Sequence, residues 1–315
     1  MVRLVVTRLL TLIPLMFVIT SVVFFLIRLV PGDPARIIIG NQRVTEANLQ
    51  NIRKQYRLDR PLLEQYGLWL RDLAHGDLGR SFRQRTNVNT LILERLPVTL
   101  KLAVFSFVLS LVISIPLGIV AAVKRNSWVD AGATTFSLLG ASSPVYFTGI
   151  LLILLFSYQL NWLPAIGMGK GGWSEVKHLF LPSLTLGLSL AAITTRITRS
   201  AMVESLTQDY IETARAKGLP GRMIIVKHAF RNALIPVITV AGLQFGFLLV
   251  GTVLVEHTFA LGGLGSLLVN SVQARDYPVV QGTTVFIAGV FIFINLVVDV
   301  LYAVVDPRIR YERGR

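Results

Sequence analysis

Apolar residues run along this chain in six long blocks, and polar residues gather between them. The blocks are Leu9–Val30, Pro97–Val123, Ala133–Leu160, Leu181–Met202, Leu234–Glu256 and Val279–Val305. About 20 apolar residues cross the hydrocarbon core of a bilayer as a helix. The pattern therefore predicts an all-α, polytopic membrane protein with six transmembrane helices. Pro14, Pro116 and Pro144 fall inside blocks; membrane helices accept such prolines as kinks when neighbours satisfy the freed carbonyl. Arg3 and Arg8 give the first block the basic start of a signal peptide. Its apolar core is too long for one, and Leu29 to Pro34 offers no small-residue cleavage site, so it reads as a retained anchor.

The polar intervals divide the chain further. Residues 1–30 form an N-terminal segment and first span, 31–96 an external helical subdomain, 97–305 the core, and 306–315 a tail. In the subdomain, Thr45–Tyr56 and Leu62–Leu73 are predicted amphipathic helices, the second with Leu63, Tyr66, Leu70 and Leu73 at helical spacing. The interval 204–236 is the most highly charged of its length between Leu181 and Asp306. Asp209 and Glu212 have the spacing of a capping box. Tyr210–Lys217 favours a helix, Gly218 sits where a helix C′ residue belongs, and Pro220 follows the stop. A second helical run, Met223–Arg231, leads into the next block. The interval reads as a compact knob.

Composition agrees with a membrane class: 53% of residues are hydrophobic and only 15% charged. The net charge of +14 does not point to nucleic acid, because the basic residues flank apolar blocks instead of forming one patch interleaved with aromatics. Their distribution sets orientation instead. Placing the N-terminus, the 204–236 knob and the C-terminus in the cytoplasm puts Lys124, Arg125, Arg196, Arg199, Arg215, Lys217, Arg222, Lys227 and Arg231 inside. The short outer loops then hold only Lys170, Lys177 and Arg275.

Candidate chemistry is sparse. There are no cysteines, and the four histidines show no metal-ligand spacing. Gly167–Gly172 lacks the spacing and the Ser/Thr of a P-loop; if transport is energised by ATP, another chain must bind it. Arg196, Arg199 and Asp299 are ionisable groups near the inner ends of their blocks, and Asp299 with either arginine is a candidate structural ion pair. Gln244 lies between Gly242 and Gly246; this stretch either packs helices or borders a solute path. Ser142 and Ser143, beside Pro144, either line the same path or bond to their own helix's carbonyls. Two other classes compete: an ion-coupled secondary transporter, and an intramembrane serine protease using Ser142. The protease needs a histidine in reach, and the histidines fall outside the blocks.

Glu212-Thr-Ala214, three residues, then Gly218 resembles the EAA loop of type I ABC importer permeases, with Thr213 departing from its second alanine. Asp209-Tyr-Ile-Glu-Thr-Ala-Arg-Ala-Lys-Gly218 with His228-Ala-Phe-Arg-Asn-Ala-Leu-Ile-Pro236 resembles the dipeptide, oligopeptide and nickel branch of that family. Arg28-Leu-Val-Pro-Gly-Asp-Pro34, Gly76-Asp-Leu-Gly79, Arg95-Leu-Pro-Val-Thr-Leu100 and Arg275-Asp-Tyr-Pro-Val279 agree with it. Gly242 to Leu249 is most similar to dipeptide and glutathione permeases. The resemblance implies a non-enzymatic permease subunit in a bacterial or archaeal cytoplasmic membrane, paired with a second, homologous permease. It further implies two ATPase subunits, which carry ATP and Mg, and an extracytoplasmic solute-binding protein. This chain itself would bind no cofactor. The coupling residues it implies are Asp209, Tyr210, Glu212, Ala214, Arg215, Ala216, Lys217 and Gly218. Ala214 and Ala216 would seat closely in a groove of the ATPase, and Arg215 and Lys217 would orient it. Cargo stays open between small peptides, glutathione, nickel and other small solutes.

Overall fold

The computed structural model describes residues 2–29, 35 and 45–305. Among them the regular elements are helices, with one isolated antiparallel bridge between Arg80 and Asn87. The six apolar blocks become α1 (Val2–Leu29), α4 (Val88–Val123), a broken pair α5 (Trp128–Ser142) and α6 (Val145–Leu152), α7 (Gly172–Leu206), α9, and α11 (Tyr277–Val305). Helix α9 is assembled from Gly221–Met223, a π-helical stretch Ile224–Ala229, and Phe230–Thr258. The shorter helices are α2 (Glu46–Gln55), α3 (Leu62–Ala74), α8 (Asp209–Ala216) and α10 (Leu264–Gln273). Among the described residues, five helices are long and apolar enough to cross a membrane, or six when the bent pair counts as one span.

Several helices outrun their apolar blocks. Helix α4 begins at Val88, not Pro97, and α7 begins at Gly172, not Leu181, passing through Pro182. A 35-residue helix is about 50 Å long at 1.5 Å per residue, while the hydrocarbon core is about 30 Å thick. Hydropathy therefore marks the part of each helix that needs lipid or core, and the polar ends continue beyond it.

The third block differs more. Its two halves meet at 111°, so Pro144 breaks the span instead of kinking it. Ser143, which precedes the proline, takes an extended conformation with ψ 130°, and Pro144 becomes the N-cap of α6. The proline ring disfavours the helical region for the residue before it, and the helix stops there.

The described residues form two compact units, 98–262 with 293–305, and 2–97 with 263–292. In the first, Leu102, Leu179, Leu186, Leu248, Val255 and Phe259 make an apolar core. Glycines let its helices approach closely. A Cβ built at Gly140 of α5 would lie 2.6 Å from the Ala192 Cβ of α7, and one at Gly118 of α4 would lie 2.6 Å from the Thr198 Cβ. Gly140→Ala is therefore expected to cost about 1–3 kcal/mol, the usual range for overpacking. Gly132→Ala, on the same helix with open space around it, should be neutral or slightly stabilising. Thermal unfolding of the two variants in detergent tests this; equal midpoints would remove the α5–α7 contact from the account.

The second unit centres on Val88, Leu91, Ile92, Leu264, Leu267 and Val279. Asp276, buried just before α11, ties the 80–87 loop in place. Its carboxylate accepts from Ser81 Oγ at 2.5 Å and from the backbone N–H groups of Phe82 and Arg83 at 3.0 and 3.3 Å. The segment predicted as a helix over Thr45–Tyr56 is helical from Glu46 to Gln55, with Thr45 as its N-cap. Helix α3 lies against α1: Ser21 Oγ and Tyr66 Oη are 2.6 Å apart, and Arg28 sits over the Phe24 ring and donates to Gln65 Oε1 at 3.0 Å. Of the apolar face predicted for α3, Tyr66, Leu70 and Leu73 are half-buried, but Leu63 is exposed.

Candidate functional site

Helix α8 forms the knob that the polar interval predicts, and its end is built as expected. Lys217 is the C-cap, and Gly218 follows with φ +74°. The Gly218 N–H donates to the Arg215 carbonyl at 2.9 Å and the Leu219 N–H to the Ala214 carbonyl at 3.2 Å. These two bonds make a Schellman motif, completed by Leu219 packing into the apolar cluster that holds Ala214. Glycine is required here because the left-handed region is costly for a residue with a Cβ.

The start of α8 corrects the capping box. Gln208, not Asp209, is the N-cap, and its side chain makes no capping bond. Asp209 and Glu212 instead lie in the first turn, with Arg215 in the last. That order places negative charge at the positive end of the helix dipole and positive charge at the other end. Charge replaces a side-chain cap as the local support.

The faces of α8 divide sharply. Ile211 and Ala214 are buried in a cluster with Ala122, Met202, Ile224, Ala229 and Ala233. Asp209, Tyr210, Glu212, Arg215, Ala216 and Lys217 are exposed. Ala214 is therefore taken up by the chain's own packing and is closed to a partner groove; its small side chain lets α8 seat on α7 and α9. Ala216 is the alanine that faces outward.

Two polar ties fasten the base of the knob. Ser205, near the end of α7, donates to the Ala229 carbonyl in the π stretch of α9 at 2.9 Å. Tyr210 Oη lies 2.6 Å from the same Ser205 Oγ. The second tie joins α7 to α5. The Arg199 guanidinium grips Asp130 in two-point fashion, Nε to Oδ1 and Nη2 to Oδ2, the latter at 2.8 Å. The Asp130 carboxylate also accepts the Asn126 N–H at 3.0 Å. Besides Ser205, sequence reasoning passed over Asp130. Its available signal is an acid three residues after Ser127, which is the N-cap of α5. Arg196 is exposed and makes no ion pair among the described residues. The side chain of Asp299 lies outside what is described, so the anion on Arg199 in this structure is Asp130.

The candidate path residues are not brought together. Ser142 is exposed and Ser143 half-buried at the α5–α6 break. Gln244 is buried in α9, where its Nε2 donates to Thr194 Oγ1 of α7 at 2.9 Å and its Oε1 has no partner. No hydrogen bond among the described residues joins the serines to Gln244. Gly242 packs against Val298 of α11, where an added Cβ would lie 2.9 Å from a methyl carbon, so the first glycine of the pair serves helix packing. His178 lies within the long helix α7 and its Nδ1 is bonded to the Ser174 carbonyl at 2.7 Å.

Comparison with known proteins places this geometry. Residues 114–311 match the family of binding-protein-dependent transport system inner membrane components, and residues 1–103 match the N-terminal model of the same systems. The glutathione transport system permease protein GsiC of Escherichia coli O6:H1 is 45% identical over 312 residues, covering 99% of this chain and all of that protein. A putative peptide transport system permease protein of Brucella abortus (strain 2308) is 44% identical over 317 residues, with the same coverage. An inward-facing structure of the MetNI methionine ABC transporter shares the fold, with a TM-score of 0.57 at 19% identity, over 69% of this chain and 96% of that one. The chain thus belongs to the family of inner membrane components of binding-protein-dependent transport systems: it is a multi-pass permease subunit of an ATP-driven importer that works with separate ATPase subunits and a binding protein.

Proposed function

We propose that the importer carries small peptides, glutathione among them, and that the α8 knob is where this subunit meets its ATPase. The observation that carries the cargo is the match over the full length to permeases named for glutathione and for peptide transport. Nickel or another small solute is the alternative within the same branch. The subunit pairs with a second, homologous permease and lies in a bacterial cytoplasmic membrane. Its N-terminus, knob and C-terminal tail 306–315 face the cytoplasm and its 31–96 subdomain faces outward. ATP and Mg bind the ATPase subunits. Ser142, Ser143 and Gln244 border the path in the conformations that open it.

The knob suits a docking role physically. It presents one rigid, dipolar surface, Asp209 and Glu212 at one end and Arg215 and Lys217 at the other, on a helix closed at its C-terminus and anchored by apolar side chains underneath. Complementary charge at a rim sets orientation and encounter rate more than affinity. Closure of the ATPase dimer then moves the knob as a body, and the spans reorient.

Cargo is tested by reconstituting the assembled importer with its binding protein in proteoliposomes and measuring ATP-dependent uptake of glutathione, a dipeptide and Ni²⁺ in parallel. Uptake of glutathione or the dipeptide is expected; accumulation of nickel alone would overturn the peptide reading.

A further inference from the structure

The contacts beneath the knob raise a mechanical question. The side chains that α8 buries are Ile211 and Ala214, and apolar contacts are non-directional. They hold the helix down but do not fix its rotation or its register along α7 and α9. A directional contact is needed if a push on the outer surface is to reach the spans without slipping.

The hydrogen bonds at Ser205 supply one, and their polarity is fixed. A serine hydroxyl carries one proton, and Ser205 donates it to the Ala229 carbonyl. The 2.6 Å contact with Tyr210 must therefore be a donation from the tyrosine. The order is Tyr210 O–H to Ser205 O–H to Ala229 C=O. It begins on a side chain that is 39% exposed on the knob, passes through a buried hydroxyl, and ends on a fully buried backbone carbonyl. That carbonyl belongs to the last residue of the π stretch Ile224–Ala229, whose closing bond runs from the Phe230 N–H to the Ile225 carbonyl. A π turn carries one more residue per hydrogen-bonded turn than the α-helix, and such turns recur at functional sites. Its persistence or loss shifts the register of everything beyond it, here the span Phe230–Thr258.

Resting on the reading of α8 as the ATPase contact, we infer that Tyr210 is a positioning residue for coupling. Acting through Ser205, its hydroxyl locks the knob to the π turn of α9, so that displacement of α8 is delivered to that span. Burial does not explain the hydroxyl. The tyrosine ring is partly exposed, and a phenylalanine would cover the same surface. The oxygen is spent on a buried partner, and hydrogen-bond geometry is steeply angle-dependent, which is the property a register lock needs.

The assembled importer in proteoliposomes provides the test, with transport per ATP hydrolysed as the readout. Tyr210→Phe should lower that ratio about fivefold, which corresponds to about 1 kcal/mol, the net worth of one hydrogen bond. Co-purification of the ATPase should not change, and the thermal midpoint should fall by no more than about 2 °C. Ser205→Ala should lower the ratio equally, and the double variant should be no worse than either single one, because the two groups act in series. Amide exchange over residues 224–231 should quicken in all three. An unchanged ratio in Tyr210→Phe, or additive losses in the double variant, would overturn the lock. So would loss of ATPase co-purification on Tyr210→Phe, since Tyr210 would then be a docking contact. The docking reading fails on a different result, normal transport when the knob's C-terminal stop is broken at Gly218.

Discussion

Asp130→Asn is expected to lower the thermal stability of the permease by about 3 kcal/mol and to reduce its yield in the membrane. The size follows from what is left behind. Asp130 is buried and accepts two bonds from Arg199 and one from the Asn126 backbone. An asparagine keeps the shape and can still accept from the backbone, but it leaves the half-buried guanidinium without its anion. Removing one partner of such a pair costs about 3–5 kcal/mol, mostly as the penalty of the charge that remains. Arg199 retains some exposure, so the lower end of that range applies. The same argument predicts that the double variant Asp130→Asn/Arg199→Gln is more stable than Asp130→Asn alone, because no uncompensated charge survives. Thermal unfolding of the three proteins in one detergent measures both effects. If Asp130→Asn unfolds with the parent, the pair is an exposed contact of little worth. If the double variant is worse than either single one, the loss comes from packing and not from charge.

This pair also marks where the sequence stops being legible. The number and order of the spans follow from the apolar blocks, because lipid demands continuous apolar length whatever the tertiary contacts are. The knob is legible for a different reason. Gly218 and Pro220 stop a helix through backbone sterics alone, so the C-terminal boundary of α8 stands where the local residues place it. What fails is whatever depends on partners distant in sequence. Arg199 finds its anion 69 residues away, and nothing local distinguishes Asp130 from an ordinary acid in the first turn of a helix. Ala214 reads as a docking alanine by its place in the motif, yet α7 and α9 bury it. The supposed cap at Asp209 gives way to Gln208 because the turn at Thr207 sets where the helical backbone begins, one residue before the side chain that looked suited to it. Pro144 is visible in the sequence, but whether a proline kinks a membrane helix or ends it depends on neighbours that satisfy its carbonyls. The π stretches at Ile153–Gln159 and Ile224–Ala229 leave no local mark at all.

Gly218→Val should produce the other large effect, a fall of about tenfold or more in transport with ATP hydrolysis by the importer retained. At φ +74° the backbone of Gly218 is in the left-handed region, which costs an ordinary L-residue about 1–2 kcal/mol and a β-branched one more. A Cβ there would meet nothing within 4 Å, so the substitution tests backbone conformation without a clash. To escape the strain the residue must leave positive φ, and the bonds from Gly218 N to Arg215 O and from Leu219 N to Ala214 O go with it. The last turn of α8 then frays, and that turn carries Arg215, Ala216 and Lys217 on its surface. The inner packing of Ile211, near the other end of the helix, survives, so the protein should still fold and insert. Gly218→Asn sets the scale, since asparagine tolerates this conformation better than other residues with a Cβ; it should keep most of the activity, and Gly218→Ala should fall between. Glutathione or dipeptide uptake and ATP hydrolysis, measured on the same proteoliposomes at matched permease content, separate uncoupling from loss of assembly. Normal uptake in the valine variant would show that the end of α8 takes no part in energy transfer, and the ATPase contact would have to be sought elsewhere on the chain.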